Sequence, residues 1–160
     1  MTLRERIKSE LTAAMRSGQT LRRDTLRMVQ SSLYNAEKSA RREFGDDEVI
    51  ALLAREVKTR RESVEAYRDA GRVDLATKEE AEIDVISAFL PEPLSATELA
   101  ALVDAGIAAT GASSARDLGK VMGWLSPRTR GRADGRAVSG LVAKRLAARD
   151  LAAHDAAGRH

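Results

Sequence analysis

DDEVIALLAREVKTRRESVEAYRDAG, residues 46–71, is the stretch whose spacing decides the fold. Ile50, Leu53, Val57, Arg60, Val64 and Tyr67 recur every three or four residues, the period of one face of an α-helix and a short coiled-coil-like seam. Asp46 opens this helix and Gly71 closes it. Arg60 stands where the seam calls for an apolar residue, and the reading preferred for it is snorkelling, with its methylenes on apolar surface and its guanidinium in water.

The same period extends in both directions. Upstream, Leu3, Ile7, Leu11 and Ala14 form one helical face, capped by Thr2 and stopped by Gly18. Leu26, Val29, Leu33, Ala36 and Ala40 then continue from a cap at Thr20. Downstream, Thr77 to Glu80 has capping-box spacing and starts a fourth helix carrying Ile83, Ile86, Phe89 and Leu90. Pro91-Glu92-Pro93 cannot continue it. Beyond this break, Ser95 and Glu98 form a second capping box, and three short amphipathic helices follow. Gly111 to Ser114 separates the first two and Ser126 to Ala133 the second and third, with Asp134 placed to cap the last. No segment alternates with a period of two. The chain therefore reads as all-α: an N-terminal helical bundle over 1–90, a linker at 91–94, a small C-terminal three-helix bundle over 95–148, and a polar tail at 149–160, a candidate for disorder.

Composition agrees with this reading. Hydrophobic residues make up 43% of the 160 but aromatic ones only 3%, so the core is built from aliphatic helix faces. Cysteine is absent, which excludes disulfides, thiolate metal sites and cysteine nucleophiles. The two histidines, His154 and His160, both fall in the tail. No apolar run approaches the roughly 20 residues that span a bilayer, and Glu5 and Glu10 among Arg4, Arg6 and Lys8 do not make a signal peptide or presequence. The expected compartment is the cytoplasm.

Net charge is +3 but unevenly placed. Residues 1–90 hold 17 basic and 17 acidic side chains, whereas residues 111–160 hold 10 and 4. Part of that excess crowds one place, where Lys120, Arg128, Arg130, Arg132 and Arg136 accompany Gly119, Gly131 and Gly135 in a helix, turn, helix pattern. Glycines that let backbones approach, beside clustered guanidinium groups, suit a phosphate backbone. RNA is the expected partner.

Other chemistry finds little support. Gly119-Lys120 lacks the earlier glycine and the following Ser or Thr of a P-loop. Glu79, Glu80, Glu82 and Asp84 are read as first-turn acids that favour the positive end of a helix, rather than as an acid and base pair or a magnesium site. Arg41-Arg42 and Arg60-Arg61 have Glu37, Glu43, Glu62 and Glu65 beside them for surface pairs. Trp124 has apolar neighbours at helical spacing, which favours a core position over base stacking. No cofactor, metal site or catalytic residue is expected.

Three blocks of residues resemble the GatB/YqeY family. They are Ala14 to Gly18 with Arg23, Thr25, Leu26 and Arg27; Arg61-Glu62-Ser63, Tyr67, Ala70-Gly71-Arg72, Asp74-Leu75, Glu79, Glu82-Ile83 and Leu90-Pro91; and Gly119 to Met122, Pro127, Gly131 to Gly135 and Val138. The chain departs from the family where Arg16 replaces a frequent lysine and where a basic residue near Gly123-Trp124 is missing. The resemblance implies an all-helical, two-domain protein related to the tRNA-holding tail of the B subunit of the glutamine-dependent aminoacyl-tRNA amidotransferase, and an amidotransferase or aminoacyl-tRNA synthetase as a further partner. The family label, carbon–nitrogen ligase with glutamine as amido-N-donor, describes chemistry for which this chain offers neither nucleophile nor nucleotide site. Gly71, Arg72 and Asp74 of the central block are either a docking signature or a specified helix end.

Overall fold

Helical periodicity is realised from end to end. The computed structural model describes residues 1–158, and among these there are seven α-helices, one short 3-10 turn and no strand. The fold is all-α. In order they are α1 (Leu3–Ser17), α2 (Thr20–Ala40), α3 (Asp46–Asp69), α4 (Val73–Ser87), α5 (Ala96–Thr110), the 3-10 turn Ala115–Asp117, α6 (Leu118–Thr129) and α7 (Gly135–Gly158). The chain divides into two compact units, Met1–Pro91 and the residues from Glu92 onward.

In the first unit, Thr2 caps α1 through its side chain and Glu5 returns the bond to the Thr2 amide, closing a capping box. Gly18, at φ 71°, ends the helix. Thr20 does not cap α2: the helix starts on it, Gln19 occupies the cap position without a side-chain bond, and the Thr20 hydroxyl turns to the Gly18 carbonyl. Ile7, Leu26, Leu53 and Ile86, one from each of the four helices, meet in the core with almost no exposed surface.

Two expectations fail here. The fourth helix starts at Val73, not at Thr77, because Gly71 at φ 72° reverses the chain and Arg72 leads straight into the next helix. The local capping signal at Thr77 loses to the packing of α4 along α3. Glu79, Glu80, Glu82 and Asp84 consequently lie in mid-helix, not in a first turn. The helix stops at Ser87, so Phe89 is buried from a turn beyond the helix, its amide bonded to the Ile86 carbonyl.

Arg60 does not snorkel. It is 8% exposed, and its Nε donates to Glu82 Oε2 at 3.1 Å on α4 while Nη1 donates to Glu56 Oε2 at 2.7 Å. Burial acts against its charge, but the two carboxylates outweigh that and raise its pKa.

In the second unit, Ser95 and Glu98 close the expected capping box on α5, and Gly111 at φ 66° ends that helix. Val103, Ile107, Val121, Leu125, Val142 and Leu146 form the centre of its core. Residues 149–158, read from sequence as a polar tail, continue α7 as an exposed helix carrying His154. His160 lies outside the described residues.

Candidate nucleic-acid interface

The basic segment is more helical than its sequence suggests. Ser126 to Thr129, expected in the turn, form the last turn of α6, with Pro127 inside the helix. Pro127 has no N–H for the Gly123 carbonyl, a loss confined to an exposed final turn. The Ser126 hydroxyl donates to the Met122 carbonyl at 2.7 Å and buried Thr129 to the Leu125 carbonyl at 3.2 Å. Arg130 leaves helical geometry at ψ 125°, and Gly131 reverses the chain at φ 72°. The Thr129 carbonyl then accepts from both Arg132 and Ala133, and the Asp134 carbonyl accepts the Val138 amide as α7 begins.

The five cations of this segment fall into four groups. Arg128 lies with its guanidinium 3.7 Å from the centroid of the Trp124 ring and donates to the Trp124 carbonyl, so one arginine and one indole face are already engaged with each other. Arg132 is a tie: its Nε donates to the Glu92 carbonyl at 2.9 Å, its own carbonyl accepts the Leu94 amide at 2.8 Å, and Glu98 lies 3.9 Å from its Nη2. Arg130 and Arg136 flank the turn, exposed, their side chains without hydrogen bond or ion pair among the described residues. Lys120 is equally exposed but sits at the far end of α6, about 15 Å from Arg130 by helical rise.

Asp117 is close enough to Lys120 to share its field. Amide bonds from Ser113 at 2.8 Å and Ser114 at 3.3 Å hold its carboxyl below the usual range, and Lys120 adds to the effect. Lys120 therefore projects less net charge than the turn does.

The motif glycines do not serve close packing. A Cβ added at Gly119, Gly123 or Gly135 meets nothing within 4 Å, and Gly131 is needed for its left-handed φ instead. The tight approach is elsewhere, at Gly106, where a Cβ would come within 2.9 Å of the Trp124 ring and 3.3 Å of Leu125. Sequence reading passed over Gly106. Its signal was a glycine inside an Ala-rich helix, where it costs roughly 1 kcal/mol relative to alanine without a packing reason.

The central block explains itself locally. Gly71 sits at φ 72°, and exposed Arg72 grips Asp74 through two bonds of 3.2 Å that, with the Leu75 amide, lower the Asp74 pKa. In the acidic cluster, Glu82 belongs to Arg60 and Glu80 to Arg68. Among the described residues no group of three or more His, Cys, Asp or Glu could hold a metal ion, and no helix is long and apolar enough to cross a membrane.

Comparison with known proteins covers most of the chain. Residues 4–146 match the family described as Yqey-like protein. A protein of Pyrenophora tritici-repentis named altered inheritance of mitochondria protein 41, mitochondrial, is 31% identical over 130 residues, 80% of this chain and 71% of that one. An uncharacterised protein of Schizosaccharomyces pombe is 36% identical over 89 residues, 56% and 72% of the two chains.

Proposed function

The chain belongs to the YqeY-like family, and from that premise we propose that it is a helical tRNA-binding module that works beside aminoacyl-tRNA amidation without a catalytic centre of its own. The observation that carries this reading is the pair Arg130 and Arg136, two exposed guanidinium groups on either side of one tight turn with no partner among the described residues. Guanidinium groups left unpaired on a rigid corner suit phosphate oxygens, which accept forked bonds. Lys120 adds a more distant, partly compensated charge. Arg128 and Arg132 shape the surface: one covers Trp124, the other anchors the 92–94 segment.

Contacts of this kind follow the shape and backbone of the RNA and carry no base code. The resemblance to the GatB/YqeY family, which implies kinship with a tRNA-holding amidotransferase tail, favours tRNA among polyanions. Any glutamine hydrolysis or ATP-dependent transfer then belongs to a partner amidotransferase or synthetase, since it requires an activated nucleophile or a nucleotide and metal site.

The test is fluorescence anisotropy with labelled tRNA across a salt series. Log affinity is expected to fall linearly with log salt, by roughly 0.7 to 0.9 per phosphate neutralised. Arg130→Glu with Arg136→Glu is expected to weaken binding about tenfold or more. Absence of tRNA affinity at about 50 mM salt, or full affinity in the double variant, sinks the proposal.

A further inference from the structure

The N-terminal unit is neutral by count, with 17 basic and 17 acidic residues over 1–90, yet its surface is not evenly neutral. Glu10, Glu37, Glu48, Glu56, Glu80 and Glu82 are each held by an arginine in a salt bridge. Each pair neutralises both signs, so the local field is set by the charged side chains left outside such pairs.

Helix α2 shows where. Leu26, Val29 and Leu33 point into the core, and the opposite stripe, Thr20, Asp24, Arg27, Ser31, Tyr34 and Lys38, is exposed at every position. Asp24 is its one acid. It is bound by Arg23 at 2.9 Å and lies in the field of Arg27 and of Lys78 on α4, so three cations from two helices surround a single carboxylate. The side chains of Arg27, Lys38 and Lys78 make no hydrogen bond or ion pair among the described residues.

Tyr34 stands in this stripe at 65% exposure, one of five aromatic residues in the chain. Arg27 lies two turns before it and Lys38 one turn after. An open aromatic ring between cations at that spacing matches surfaces that stack an unpaired base while neutralising the phosphates on each side.

We propose that the outer stripe of α2, with Lys78 of α4, is a second RNA-contact surface that takes a single-stranded segment, Tyr34 stacking on a base and Arg27, Lys38 and Lys78 meeting its phosphates. It is separate from the turn between α6 and α7 in residues and in the RNA feature it reads. Each surface can therefore fail without the other.

The experiment uses the full chain and a fluorescent, unstructured RNA of about 15 nucleotides, within the site size of such grooves. Arg27→Glu with Lys78→Glu is expected to weaken its binding about tenfold or more, and Tyr34→Ala roughly fivefold or more, with Tyr34→Phe close to wild type because the stacking face is kept. Wild-type binding of the oligonucleotide by the α2 variants overturns the proposal, and so does equal binding by Tyr34→Ala. Loss of co-sedimentation with phosphatidylserine vesicles in Arg27→Glu with Lys78→Glu, with RNA binding unchanged, overturns it in favour of a lipid surface.

Discussion

Arg60 and Glu82 join α3 to α4 by a hydrogen-bonded ion pair of 3.1 Å between side chains that are 10% and 8% exposed, with Glu56 closing the other side of the guanidinium. Removing one partner strands the other charge in a low-dielectric site, whereas replacing both with apolar groups of similar size does not. Arg60→Met, which takes from Glu82 its partner, is therefore expected to destabilise the chain by about 3 to 5 kcal/mol, and Arg60→Met with Glu82→Leu to recover most of that loss. Urea unfolding midpoints of the two variants decide the matter. A single variant costing under about 1 kcal/mol would mean that the pair behaves as a surface salt bridge.

Gly106 brings α5 against α6. A methyl group there meets the Trp124 ring at 2.9 Å, and that ring cannot retreat freely because Arg128 lies over it. Alanine normally favours a helix by about 1 kcal/mol over glycine, but overpacking of this kind costs about 1 to 3 kcal/mol. Gly106→Ala is expected to lower stability on balance, with a changed near-ultraviolet Trp124 signal. A stabilised variant with an unchanged signal contradicts the contact.

Most helices were legible because their apolar spacing is strong and their ends are marked: Thr2, Ser95 and Glu98, Gly18 and Gly111 all act as the sequence suggests. Two of the errors share a cause. Thr77 and Arg60 were judged by local chemistry, while long-range partners decided both cases: α3 packs along α4, and Glu82 reaches Arg60 from 22 positions away; at Ser126 the difference is local, since the final turn of α6 accommodates Pro127. The basic turn was visible as composition, but composition cannot say that Arg128 is spent on Trp124 and Arg132 on Glu92. Those assignments depend on side-chain direction, which spacing alone does not give.

Arg41 ends α2 in the left-handed region at φ 57°, the one non-glycine residue with positive φ among those described. A side chain in that conformation costs roughly 1 kcal/mol that glycine avoids. Its side chain is exposed. Arg41→Gly is expected to stabilise the chain by about 0.5 to 1 kcal/mol, measured as a raised urea midpoint with an unchanged slope. A destabilised variant would show that the arginine side chain contributes more than its backbone costs.

Asp117 accepts the Ser113 and Ser114 amides, which lower its pKa from 3.8. A carboxyl depressed in the folded state adds stability above its unfolded pKa and loses it as pH falls through the folded value. Asp117→Asn is therefore expected to lower the melting temperature at neutral pH and to narrow its gap from wild type as the pH drops below about 4. A gap that stays constant with pH shows that the amide bonds do not favour the ionised form.

Trp124 is the sole tryptophan, so its fluorescence reports on one place. The Arg128 guanidinium lies 3.7 Å above its ring, while Arg130, two residues on, has turned out of the helix and its side chain makes no hydrogen bond or ion pair among the described residues. Two neighbouring arginines therefore separate structure from binding. Arg128→Ala is expected to shift the Trp124 emission because it uncovers the indole, and to change tRNA affinity less than about twofold. Arg130→Ala is expected to leave the emission unchanged, to weaken tRNA binding severalfold, and to reduce the salt slope by about 0.7 to 0.9 as one phosphate contact is lost. If Arg128→Ala instead takes the larger share of affinity and slope with no change in emission, the guanidinium has left the indole for the phosphate.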